Sequence, residues 1–248
     1  MNQASVMTPG TQRLQMIDLL RGTAILLMVV YHFCFDLAWF GFTNSDFYSD
    51  PAWIAFRSII LTLFLGLVGF SLWLAQGMQI NWRKVTRRTL LIAANAALIS
   101  AVTWWQFEDR FIYFGVLHFI TVASLLGLLF LRFYHLNLVL GTSLLALAYY
   151  QHPWFDSPTV NWIGFMTYKP LTEDYVPLVP WFGVVLLGLY IAQWMDRTGK
   201  LSAWSEPEWV NRTGPLLLAG RHSLLIYMLH QPVLIGALWL FSLASGTQ

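Results

Sequence analysis

Charge is what this sequence has least of. Asp, Glu, Lys and Arg together make up 10% of its 248 residues, where soluble domains carry about 25%. Apolar residues reach 57%, so a water-soluble globular chain is excluded and an integral membrane protein is indicated. The single cysteine, Cys34, excludes an internal disulfide and any cysteine-built metal cluster; on an apolar helix it reads as a small buried residue. A net charge of +2 is too small to argue for a nucleic-acid partner. There is no glycine-rich phosphate loop, no HExxH-type metal motif and no repeat, so no metal is expected. Residues 1–16 are polar and offer no cleavage pattern, so the first apolar helix is expected to be retained.

What is present is a series of long apolar runs. Seven spans are read near residues 18–40, 54–77, 88–106, 111–131, 135–151, 176–195 and 214–243. The expected fold is therefore an all-α polytopic transmembrane bundle, one domain over residues 1–248 with its membrane part at 13–245. The last span is too long for one straight crossing, and Pro232 predicts a kink or break near His230-Gln231-Pro232. With the N-terminus in the cytoplasm, inner loops hold Arg13, Arg83, Lys84, Arg87, Arg88, Arg132, Arg197, Lys200 and Arg212, against Arg110 and Lys169 outside. That bias sets the orientation, and the expected location is the cytoplasmic (inner) membrane. The connection at 152–175 is then an outer loop, long enough to close over a substrate.

The first span, from Ile17 to Phe40, contains Asp18, Arg21, His32 and Asp36. At about 100° per residue these four side chains share one helix face about 60° wide. An ionisable group in hydrocarbon costs at least about 2.5 kcal/mol, so such a face turns toward partners or water and marks a functional path. Asp18 and Arg21 also suit a helix-end charge pair. His32 lies about 21 Å farther along the axis, well inside the core.

Orientation fixes depth. His32 falls in the outer half of the first span, His118 about 10 Å below the outer boundary, and His230 about 24 Å from the inner side. The three histidines are expected in one layer, as catalytic candidates together with Asp36, which sits one turn from His32. A histidine beside a carboxylate can take a proton from a hydroxyl or amine near neutral pH. Each imidazole also has a purely structural alternative, a hydrogen bond between helices. Arg57, Tyr227 and Gln231 border the layer and, with Trp181 near the outer interface, are the candidate acceptor contacts. On the inner side Arg83, Lys84, Arg87 and Arg88 form a basic loop able to bind phosphates, with Asp18 and Arg21 inward of it.

The pattern R-x4-D-x2-R-G-x9-H, formed by Arg13, Asp18, Arg21, Gly22 and His32, resembles the opening helix of the heparan-alpha-glucosaminide N-acetyltransferase catalytic-domain family. The segments YFGVLHF at 113–119, VPLVPWFGVVLLG at 176–188 and GRHSLLIYMLHQPV at 220–233 resemble short bacterial members. A similar Arg-to-His spacing occurs in membrane O-acyltransferases of surface polysaccharides. The resemblance implies transfer of an acetyl group from cytoplasmic acetyl-CoA, as co-substrate, to a sugar amine or hydroxyl of an extracytoplasmic glycan, with His32 as general base or acyl carrier. Lysosomal members carry their histidine beyond the first helix, and Gly41 to Trp53 holds none here. Partners would be acetyl-CoA, the glycan and the lipid bilayer. Two other classes fit the polar residues: a proton-coupled transporter, and a haem protein with paired axial histidines.

Overall fold

The computed structural model describes residues 14–204 and 213–245. Arg13, which opens the sequence motif, and Arg212, counted among the inner basic residues, lie outside them. Every regular element among the described residues is helical: α1 Gln15–Trp39, α2 Pro51–Gln76, α3 Trp82–Phe107, α4 Val116–Phe130, α5 Tyr134–Ala146, α6 Leu178–Arg197, α7 Lys200–Ala203, α8 Gly214–Arg221 and α9 Ser223–Ser245. Five helical stretches, Gln15–Trp39, Pro51–Gln76, Trp82–Arg110, Leu178–Arg197 and Ser223–Ser245, are long and apolar enough to cross a membrane. The protein is a polytopic all-helical membrane protein.

Packing on the outside confirms the solvent. Only 6% of the most apolar window of α9 and 11% of that of α3 is buried within the protein, and Leu91, Leu98, Leu225, Leu229, Val233 and Leu240 are exposed. Apolar area of this extent is tolerated where the surroundings are hydrocarbon rather than water.

The expected fourth and fifth spans are shorter than drawn. α4 has 15 residues and α5 has 13, about 22 and 20 Å at 1.5 Å per residue, against a core of about 30 Å. α4 starts only at Val116 because the residues before it are fastened elsewhere. Ile112 N–H donates to Thr103 Oγ1 at 3.0 Å, and the Ile112 carbonyl accepts from Ser100 Oγ at 2.6 Å.

The last span is corrected as well. It is two helices, and they part at His222 (φ −108°, ψ 22°) rather than at Pro232, which lies inside a continuous α9. A proline removes one N–H and crowds the carbonyl four residues back. The carbonyl left without its donor is that of Met228, and membrane helices carry proline within a continuous run where neighbouring groups and small local adjustments satisfy such a carbonyl. The break at His222 follows instead from the packing of α8, described next.

The chain forms two compact units. One, the terminal unit, comprises residues 14–64 and, from Ala203, the C-terminal helices; the other, the central unit, comprises 65–202, so α2 contributes its first half to one and its second half to the other. In the terminal unit α8 lies against the start of α1 with almost no space between backbones. A Cβ on Gly220 would sit 1.7 Å from the Asp18 carbonyl oxygen, and one on Gly22 would sit 2.0 Å from that of Leu216. Small residues of this kind are what lets membrane helices approach closely. A short helix seated on those contacts ends at Arg221, and α9 starts afresh. Farther along α1 the core is Ile25, Met28, Tyr31, Phe47 and Ile60.

The central unit uses the same device where α2 meets α6: a Cβ on Gly69 would reach the Val185 carbonyl oxygen at 1.9 Å. The α4–α5 turn is closed by buried amides. Gln193 Nε2 donates to the Leu131 carbonyl at 2.7 Å, and Asn137 Nδ2 donates to Gln193 Oε1 at 2.9 Å and to the Phe130 carbonyl at 3.1 Å. The 152–175 connection is tied into this unit rather than hanging open. Asp174 Oδ2 accepts from Val116 N–H at the start of α4 at 2.8 Å, and Thr172 Oγ1 donates to the Phe111 carbonyl at 2.8 Å. Arg110 pairs with Glu173 at 3.0 Å. Tyr175 donates its hydroxyl to the Asn161 carbonyl at 2.6 Å, and burial holds its pKa above the ordinary tyrosine value.

Candidate active site

In the terminal unit the polar face of α1 meets α9. Asp36 is buried, and His32 and His230 are half-buried, with ring centroids 4.8 Å apart. Gln231 holds the group together: its Nε2 lies 3.1 Å from His32 Nδ1, and its side chain also hydrogen-bonds Asp36. An ionised carboxylate only accepts, so the Gln231 NH2 faces both Asp36 and His32 Nδ1. His32 Nδ1 is therefore an acceptor, and neutral His32 carries its proton on Nε2. His230 has the opposite tautomer. Its Nδ1 lies 2.7 Å from the Tyr227 carbonyl oxygen, which can only accept, so the proton sits on Nδ1 and the Nε2 lone pair is left over.

That lone pair is one of three loose ends. His230 Nε2, Gln231 Oε1 and Asp36 Oδ2 are buried with no hydrogen-bond partner within the protein. All three are acceptors in the arrangement above. Buried polar atoms are nearly always paired, and an unpaired group costs about 1–3 kcal/mol. Three such acceptors in a single cluster describe a place for a donor from outside the protein, such as an amine, a hydroxyl or water.

The surroundings are aromatic. The Tyr31 ring packs edge-on to His32 at 5.6 Å and to Phe47 at 5.5 Å, and Tyr227 lies 5.8 Å from His230. Arg57 on α2 hydrogen-bonds the Tyr31 side chain. The structure thus brings His32, Asp36, His230, Gln231, Tyr227 and Arg57 into one neighbourhood. The two imidazoles touch, so no macrocycle fits between them as a shared axial pair requires.

Of the other candidates, Asp18 and Arg21 make separate contacts within the terminal unit, and the rest belong to the central unit. Asp18 and Arg21 form a separate ion pair near the start of α1 at 3.4 Å, and Arg221 from α8 approaches the other Asp18 oxygen at 3.6 Å. Arg221 was not singled out from the sequence, although it stands in the GRHSLL segment as an arginine bordering an apolar run. His118 is in the central unit with both nitrogens engaged. Gly115 N–H donates to its Nδ1 at 3.3 Å, and Nε2 lies 3.0 Å from Ser100 Oγ. Trp181 is half-buried at the start of α6. Arg83, Lys84, Arg87 and Arg88 are exposed on the first turns of α3, and no ion pair to a carboxylate holds them among the described residues. No three His, Cys, Asp or Glu side chains there are grouped as a metal ion would need.

The sequence model of the family described as "Heparan-alpha-glucosaminide N-acetyltransferase, catalytic" matches residues 13–232, most of the chain. The chain belongs to that family. No curated protein and no solved structure gave a match. Membership of this family implies an acetyltransferase, and acetyl-CoA is the co-substrate that such transfer implies. The matched stretch takes in α1 and α9 as far as Pro232 and so includes His32, Asp36, His230 and Gln231.

Proposed function

We propose that the protein transfers an acetyl group from cytoplasmic acetyl-CoA to an amine of an extracytoplasmic sugar, at the His32–His230 pair. The observation that carries this reading is the cluster of orphaned acceptors beside two imidazoles of opposite tautomer, in a chain of an N-acetyltransferase family. An amine entering the cluster supplies the missing donors. A sugar hydroxyl offers one hydrogen and an amine at least two, so the amine satisfies more of the three acceptors.

The acceptor nitrogen attacks the thioester carbonyl carbon, the C–N bond forms and the C–S bond breaks. The proton released by nitrogen passes to His230 Nε2, whose ring is held by the Tyr227 carbonyl, and from there to the departing CoA sulfur. His32 keeps its Nε2–H as a donor for the carbonyl oxygen as it gains charge. Its Nδ1 lone pair is occupied by Gln231, so His32 serves as base or acyl carrier only after that hydrogen bond opens. Asp36 orients Gln231. His118 serves the scaffold of the central unit, where both of its nitrogens are engaged.

The exposed cations on α3 supply phosphate contacts for CoA. With the N-terminus inside, these cations face the cytoplasm, the side from which acetyl-CoA would come.

The test is acetyl-CoA binding and acetyl transfer to glucosamine by the detergent-solubilised protein. His32→Ala and His230→Ala should both retain acetyl-CoA binding and lose transfer. Transfer at the wild-type rate in either variant would overturn the assignment.

A further inference from the structure

Beyond the histidine cluster, the connection between α1 and α2 shapes a groove of about 490 Å³, lined by Phe35, Ala38, Trp39 and the run Thr43 to Tyr48. Its size is within the range of small-molecule sites. Two kinds of surface meet in it. Trp39 and Tyr48 are 58% and 61% exposed, while Thr43, Asn44, Ser45 and Asp46 contribute hydroxyls, an amide and a carboxylate. A lipid-facing aromatic belt explains the rings but not four consecutive polar side chains in the same concavity.

The groove is held open by its own bonding. Asp46 Oδ1 accepts from Tyr48 N–H at 2.8 Å and Ser49 N–H at 3.0 Å, and Oδ2 accepts from the Ser49 hydroxyl. That Ser49 hydroxyl, with the two backbone N–H groups, holds the Asp46 pKa below the ordinary carboxylate value. Phe47 is 3% exposed and wedged against Trp53 at 4.2 Å and Phe35 at 5.4 Å. Phe35 in turn lies 27° from parallel with Trp39 at 6.4 Å and packs on Tyr48 at 6.1 Å. The exposed rings therefore stand on half-buried Phe35, which is backed by buried Phe47. The same layer backs the histidines, because Tyr31 touches both His32 and Phe47.

We infer that this groove seats a sugar ring of the acceptor, with Trp39 and Tyr48 against its C–H faces and the Thr43–Asp46 side chains on its hydroxyls. This rests on the transferase reading, and it deepens that reading by giving the acceptor a subsite that none of the catalytic candidates provides. Aromatic faces suit the apolar side of a sugar ring, and a carboxylate can accept from two neighbouring hydroxyls. The ring seated here and the ring that carries the reacting amine are then neighbouring units of one glycan, with the aromatic side chains of Tyr31, Phe35 and Phe47 between the groove and the reacting cluster.

Two measurements on the full chain in detergent, with a glucosamine disaccharide as the probe so that one ring can fill the groove while the other presents its amine, test it. Saturation-transfer NMR without acetyl-CoA should show disaccharide ring protons in contact with wild type and with Trp39→Phe, and lose most of that signal in Trp39→Ala and Asp46→Asn. In transfer assays Trp39→Ala should raise the disaccharide KM about tenfold, with kcat and the acetyl-CoA KM unchanged. No signal in wild type, or equal signals in wild type and both variants, overturns the groove. An unmoved disaccharide KM in Trp39→Ala, with wild-type transfer intact, also overturns it and leaves the transferase reading standing. The expected binding pattern with no acetyl transfer by wild type leaves the groove standing and overturns the transferase reading.

Discussion

Two regions of this molecule place polar side chains where hydrocarbon or protein surrounds them, and they treat those groups in opposite ways. In the central unit the amides of Gln193 and Asn137 each donate to backbone or to one another and both nitrogens of His118 are engaged, and none of the buried atoms left over there, Asn137 Oδ1, Asn161 Oδ1 and the Tyr113 hydroxyl among them, belongs to a histidine. In the terminal unit His230, Gln231 and Asp36 each keep a buried acceptor unpaired. The first pattern closes a turn and fastens a connection. The second leaves room for a donor that the chain does not supply. A buried histidine is thus informative only once the partners of its two nitrogens are counted.

The sharpest way to break that contrast is to remove one histidine from each region. His230→Ala should lower kcat for acetyl transfer by about 10²–10⁴, the usual contribution of a positioned general base, with little change in thermal midpoint. His118→Ala should do the reverse. It abolishes the acceptor of Gly115 N–H and the partner of Ser100, costing about 1–3 kcal/mol of stability, while kcat stays within a few-fold. Equal loss of rate in the two variants would erase the distinction.

A smaller effect separates scaffold from site within the terminal unit. Gly220→Ala puts a methyl 1.7 Å from the Asp18 carbonyl oxygen, and the overpacking should cost about 1–3 kcal/mol, read as a fall in the detergent melting temperature. Gly236→Ala on α9, where a Cβ meets nothing within 4 Å, should be neutral or stabilise the helix by up to about 1 kcal/mol. If both melt alike, α8 is not held by backbone approach.

The smallest change expected concerns the cations of the central unit. Arg87→Ala combined with Arg88→Ala should raise the acetyl-CoA KM about tenfold at low salt, and the difference should shrink as ionic strength screens the charges. A KM insensitive to salt in wild type would remove the phosphate role.

The polar face of α1 was legible because helical geometry is local: a period of 3.6 residues decides which side chains share a face before any tertiary contact forms. Length and apolarity likewise announced the long spans, but not the true extents of α4 and α5. The residues ahead of α4 look apolar, yet they are held by Thr103 and Ser100 from another helix. The break in the last span escaped for a related reason. Pro232 is a visible breaker, whereas the parting at His222 follows from α8 seating on Gly22 of α1, a partner far away in sequence.

Composition and periodicity alone determined that this is a helical membrane protein carrying costly ionisable groups on its first helix, since burial preferences and helix phase belong to each segment by itself. Which imidazole keeps a free lone pair, that Gln231 joins Asp36 to His32, and that Asp18 meets Arg221 were decided only by the tertiary structure. Hydrogen bonds between helices depend on which atoms come within about 3 Å of each other, and residues separated by most of the chain have no sequence spacing that encodes that distance.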